Sequence, residues 1–141
     1  MSKFFSTSPI YQDAGLALIR LIVGFFMIYH GWEVFDEAKM TEYQQWDMFK
    51  NDNGKTMVYL GKGTEFVTGI LLALGLFTRI SAIILACTMG YIAFFVGQGK
   101  IWYEDQFPFM FVLMAAVFLI MGAGPYSLDH LRGGLSRKGA V

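Results

Sequence analysis

"LALIRLIVGFFMIYHGWEVF", residues 16–35, is a run of Leu, Ile, Val, Phe and Met long enough to cross a bilayer, yet Arg20 sits inside it and His30 and Glu33 close it. A hydrocarbon core needs roughly 20 apolar helical residues. Three further segments approach that length: "MVYLGKGTEFVTGILLALGLF" at 57–77, "ISAIILACTMGYIAFFV" at 80–96, and a run that starts near Pro108 and stops at Gly124-Pro125, a helix-ending pair. With Ser8-Pro9 as cap and first helical position of the first helix, the spans fall at about 9–30, 57–77, 80–96 and 108–124. Short connections such as Thr78-Arg79 make neighbouring helices antiparallel, which predicts an all-α, integral membrane four-helix bundle forming a single domain over 1–141.

Composition points the same way. Hydrophobic residues make up 55% of the 141, aromatics 17% and charged residues only 16%, with a mean hydropathy of +0.48, more apolar than one soluble core of this size requires. Net charge is zero, so the charge balance predicts neither a nucleic-acid partner nor a field for acidic substrates. The single cysteine, Cys87, excludes an intrachain disulfide and a CxxC pair, so any electron chemistry needs a borrowed cofactor. The first segment reads as a retained helix and not a cleaved signal peptide. Only Lys3 leads it, Arg20 lies in its interior, and "GWEVFDE" follows where a small-residue cleavage site would stand.

Charge divides between the two sides of such a bundle. The side with the termini and the 78–80 turn holds Lys3, Arg79, Arg132, Arg137 and Lys138 against Asp13 and Asp129, net +3; the other holds Lys39, Lys50, Lys55 and Lys100 against eight carboxylates, net −4. The positive-inside rule then places both termini in the cytoplasm. Trp32, Trp46 and Trp102, with several tyrosines, gather on the outer side, where an interfacial belt is the ordinary reading. Within the long 33–56 connection, Tyr43, Trp46 and Phe49 recur three apart among charges, the pattern of an amphipathic segment lying over the bundle end as a lid.

Arg20 falls on the stripe of Ala17, Gly24 and Gly31, and Glu65 on that of Gly61 and Gly69. Small stripes mark close helix contacts in membranes, so both charges face the bundle, where intramembrane ionisable groups find partners. Their similar depth predicts an Arg20–Glu65 pair, with Lys62 a second cation nearer the outer mouth. The functional expectation is a polar pocket opening outward, walled by Tyr91, Trp102 and Tyr103; the plainer alternative is that the pair only fixes helix register. His30-x-x-Glu33 has ligand spacing, but one such pair does not make a metal site. His130 lies on the opposite side, so one chain cannot supply a bis-histidine haem. No phosphate loop or nucleophile motif appears.

With these residues named, the chain resembles the DoxX family of small membrane proteins nearly end to end, through "LIRLIVGFFMIYHG" in the first helix, "GKGTEFVTGILLALGLFTRISA" across the second and third, "WYEDQFPF" before the fourth and "GAGPYSLD" after it. Matched by position, Arg20, His30, Glu65, Thr78 and Arg79 form the family's polar signature. The resemblance implies a four-helix protein of the bacterial inner membrane, some of whose relatives are subunits of quinone-linked oxidoreductases. Quinone is then the expected ligand and no cofactor is intrinsic. Membrane lipid and a soluble or membrane redox partner are the expected partners, with a homo-oligomer as a further arrangement. The other function class is a non-enzymatic small carrier or assembly partner.

Overall fold

A computed structural model describes residues 6–138, with side chains as far as Gly134. Lys3 and the side chains of Arg137 and Lys138, counted in the charge balance, lie outside the described residues. The described chain is helical: α1 (Gln12–Gly31), α2 (Glu37–Gln44), α3 (Gly54–Leu74), α4 (Thr78–Tyr91), α5 (Gln106–Met121) and α6 (Leu128–Lys138). A π-helical turn over Ile92–Val96 prolongs α4, and 3-10 turns at Trp32–Phe35 and Asp47–Phe49 flank α2. Helices α1, α3, α4 and α5 form an antiparallel bundle in which α1 packs mainly on α3 and α4 mainly on α5. One end, the terminal end, carries the start of α1, the α3–α4 connection and α6. The other, the loop end, carries α2 and the turn before α5.

Three of these helical stretches, Gln12–Phe35, Gly54–Leu74 and Thr78–Val96, are long and apolar enough to cross a membrane, and Gln106–Met121 is apolar but shorter. Their outward faces are apolar too. Leu18, Phe25, Ile84, Phe95 and Ile120 are all exposed, an arrangement suited to lipid, where a helix satisfies its backbone internally. The molecule is a membrane helical bundle. Small residues bring α1 and α3 together: a Cβ added at Gly24 meets the backbone nitrogen of Ala73 at 2.6 Å, one at Gly69 meets that of Ile28 at 2.6 Å, and Gly31 lies against the backbone of Phe66. Gly61 departs from the expected stripe and faces open space. Val23, Met27, Leu72, Leu85 and Phe118 fill the centre.

The helix ends differ from the hydropathy reading by a few residues, each for a local reason. Helix α1 begins at Gln12 and not Pro9. Tyr11 takes a left-handed conformation at φ 51, Ser8 caps nothing, and Asp13 in the first turn suits the positive end of the helix dipole. Helix α3 stops at Leu74 because Gly75, at φ 67, closes a Schellman motif: its N–H donates to the Leu72 carbonyl and that of Leu76 to the Leu71 carbonyl. Gly122, at φ 75, ends α5 before the Gly124-Pro125 pair is reached.

Helix α4 begins at Thr78 because it is capped from far away in sequence. Asp129 accepts the backbone N–H of Phe77 on Oδ1 and of Thr78 on Oδ2, both at 2.8 Å, satisfying donors a helix start leaves orphaned. Burial alone pushes the Asp129 carboxyl up, but these two N–H groups, with Arg132 nearby, outweigh it and hold the group below its ordinary value. At the loop end Asp36 caps α2, its carboxylate accepting from the N–H groups of Ala38 and Lys39. Met40, fully buried, pins α2 against the bundle.

Candidate functional site

A cavity of about 560 Å³ occupies the loop-end half of the bundle. Helix α1 contributes Met27 and His30, α3 contributes Val58, Gly61, Lys62 and Glu65, α4 contributes Cys87, Thr88 and Tyr91, and Phe107 closes it from α5. Tyr43, Trp46 and Phe49 cover its end. The three-residue spacing in the 33–56 connection thus lays aromatic side chains over a chamber, as a lid does. Of its lining residues, Leu60 on α3, Cys87 and Tyr91 on α4, Trp46 and Phe107 are exposed.

At the cavity wall one cation serves two carboxylates, Glu65 within the lining and Glu33 behind it. Lys62 Nζ lies 2.9 Å from Glu33 Oε2 and 3.1 Å from Glu65 Oε2, and reaches the His30 carbonyl at 3.5 Å. Side-chain exposure falls along the chain from 28% at Glu33 through 15% at Lys62 to 4% at Glu65. The one-turn spacing of Lys62 and Glu65 puts them side by side on α3, and the 3-10 turn after α1 swings Glu33 over both. Tyr43 donates to Glu33 Oε2 at 2.7 Å, and Lys62 Nζ stands 5.0 Å from the Tyr43 ring centre, a cation–π distance. Burial and the bond to the Glu33 carboxylate push the Tyr43 phenol up to about 12.

Arg20 is elsewhere, and the expected Arg20–Glu65 pair does not form. Its guanidinium, 2% exposed, donates through Nε to the Leu72 carbonyl at 2.9 Å, through Nη1 to the Ala123 carbonyl and through Nη2 to the Tyr126 carbonyl at 2.6 Å. Leu72 lies two turns from Glu65 towards the terminal end, roughly 10 Å at 1.5 Å per residue. The arginine therefore adds a second donor to the Leu72 carbonyl, which also accepts the Gly75 N–H, and answers two carbonyls of the turn that follows α5.

Of the residues the sequence singled out, His30, Lys62, Glu65 and Tyr91 meet in the cavity. Trp102 and Tyr103 do not wall it. Both are 80% exposed in the turn before α5, a turn held by the buried Asp105, whose Oδ2 accepts the N–H groups of Gln98 and Lys100. Thr78 and Arg79 sit at the terminal end, Thr78 buried under the Asp129 cap and Arg79 exposed. Glu33 and Tyr43 belong to the site although the pocket drawn from the sequence omitted them. Their signal was the His30-x-x-Glu33 spacing and the aromatic period of the lid.

The family profile described as DoxX matches residues 15–98. An uncharacterized protein of Haemophilus influenzae is 31% identical over 130 residues, which cover 85% of this chain and 92% of that protein. No solved structure matches the chain. The matched segment takes in α1 from Gly15 onward, the lid, α3 and α4, and so all of the charged cluster.

Proposed function

The chain belongs to the DoxX family, and on that premise we propose that it binds an amphiphilic ring compound of the quinone class in the loop-end cavity. In this reading it is an accessory membrane subunit of a quinone-linked oxidoreductase, beside a soluble or membrane redox partner, in the bacterial inner membrane with both termini cytoplasmic. The observation that carries the proposal is the cavity itself. It is mostly apolar, has a few convergent polar groups around Glu65, and is lined by aromatic rings, which is how small-molecule sites are built. A carrier needs a polar path to the terminal end. The apolar layer of Val23, Leu72, Leu85 and Phe118, each at most 6% exposed, lies across that route, so the binding-subunit reading is preferred.

Trp46 reports on the site, since it lines the cavity. A short-chain quinone titrated into the purified protein should quench tryptophan fluorescence saturably. Gly61→Leu tests the location, because a side chain there enters open cavity space without striking backbone. The variant should keep its fold and lose saturable quenching. Quenching that never saturates, or that is identical in Gly61→Leu, means the quinone only partitions into detergent and overturns the proposal.

A further inference from the structure

The hydrogen-bonding groups inside the cavity are unequally committed. Lys62 Nζ has three N–H donors and three acceptors around it, Glu33 Oε2, Glu65 Oε2 and the His30 carbonyl. The Tyr43 hydroxyl is given to Glu33. Thr64 and Thr88 donate to the carbonyls of Leu60 and Ile84 in their own helices. The deep donors are thus all engaged.

The deep acceptor is not. Glu65 meets Lys62 through Oε2 alone, and among the described residues Oε1 accepts no hydrogen bond. Oε1 is also absent from the sealed, unpartnered side-chain atoms of the described residues, so it keeps some accessible surface. Glu65 as a whole is only 3% exposed and lines the cavity, so that surface faces the chamber. With one ammonium between two carboxylates, the cluster keeps an excess of acceptor capacity in a low-dielectric pocket.

We infer that the cavity selects a ring amphiphile that donates a hydrogen bond to Glu65 Oε1, taking the hydroxyl-bearing, reduced form of such a compound in preference to its carbonyl-only, oxidised form. A carbonyl oxygen set against Glu65 Oε1 finds acceptor facing acceptor and no free deep donor. A hydroxyl supplies the missing donor, and a hydrogen bond to a charged group is stronger than one between neutral groups. The uncommitted polar atoms of His30, Trp46 and Tyr91, all less buried residues than Glu65, receive the ring's second polar substituent. The inference rests on the cavity being the site of a ring compound, and its test separates the two.

Equilibrium dialysis against a matched detergent blank, with 2-naphthol and 2-methoxynaphthalene, compares the same ring with and without the donor. The purified protein should bind the naphthol about tenfold more tightly, the factor that about 1.4 kcal/mol gives. Glu65→Met removes the acceptor while Glu33 still neutralises Lys62, and should bind both compounds equally. Glu65→Gln, which keeps the side-chain length and serves if the Met variant does not fold, should cut the preference below about threefold, since a neutral amide is a weaker acceptor. Equal binding by the unaltered protein, or a preference that survives in the variants, overturns the inference and leaves the ring site standing. Binding of neither compound removes the ring site and this inference together.

Discussion

Arg20 and Leu72, fifty-two residues apart, are joined by a 2.9 Å hydrogen bond from the guanidinium Nε to the backbone carbonyl in the last turn of α3. The carbonyls of Ala123 and Tyr126 take the other two nitrogens. A cation at a helix C-terminus opposes the negative end of its dipole, and the carbonyls of Ala123 and Tyr126 lie just beyond the last residue of α5. The planar fork of arginine can answer three such groups from one position. This junction ties α1 to the end of α3 and to the turn after α5.

Arg20→Leu should therefore lower stability by on the order of 3 kcal/mol, since it removes three hydrogen bonds made by one charged donor, and the melting temperature in detergent should fall accordingly. Arg20→Lys should recover only part of the loss, because a point charge cannot replace the fork. The double variant Arg20→Leu with Glu65→Leu should be additive, the two residues having no shared partner. A double variant that loses clearly less than the sum would restore the direct pairing.

The helices were legible in the sequence because 20-residue apolar runs leave a bilayer protein few alternatives. Their ends were not, because the start of α4 depends on Asp129, fifty-one residues downstream of Thr78. The site was half legible. Lys62 and Glu65 sit one turn apart on one helix and declare themselves. The partner of Arg20 was hidden, since depth along a helix fixes how far a side chain reaches but backbone carbonyls, present at every position, leave no mark in the sequence. Trp102 and Tyr103 misled for a related reason: the turn that holds them is shaped by Asp105, which directs backbone N–H groups inward and leaves both rings outside.

Acid should release the cap on α4. The Asp129 carboxyl titrates lower in the folded protein than in the unfolded chain, so its contribution is complete above the unfolded value of about 3.9 and is lost as pH falls through the folded value. Melting temperature followed from pH 7 down to pH 3 should drop in the unaltered protein, and by less in Asp129→Ala, which should already be about 1 kcal/mol less stable at pH 7. Parallel curves for the two proteins would remove Asp129 from the acid response.

Two glycines on facing helices should respond oppositely to a methyl group. Gly24→Ala drives a Cβ into the backbone of α3 at Ala73 and should cost about 1–3 kcal/mol, as overpacking does. Gly61→Ala adds a Cβ in open space and should be neutral or stabilising by up to about 1 kcal/mol through helix propensity. Thermal unfolding of the pair in one detergent decides it, and equal losses would argue against the close α1–α3 contact.

Orientation is read by fusions at residue 141 and within 40–55. A reporter active only in the periplasm should be silent at the C-terminus and active in the lid connection, given the net +3 and −4 sides. The reverse pattern would invert the topology and place the cavity towards the cytoplasm.

The exposed cavity-lining residues on α3 and α4, Leu60, Cys87 and Tyr91, change which concentration governs occupancy. A lipophilic guest that slips in sideways is drawn from the bilayer, where it has already accumulated far above its level in water, and most of its transfer free energy is released before it meets the protein. The proposed ring compound would then need only weak intrinsic affinity, set by the Glu65 contact and ring packing, to fill the chamber. Occupancy should follow the mole fraction of guest in lipid, so that diluting the protein with more vesicle lipid at a fixed total amount of guest empties the site even though nothing in the surrounding water has changed.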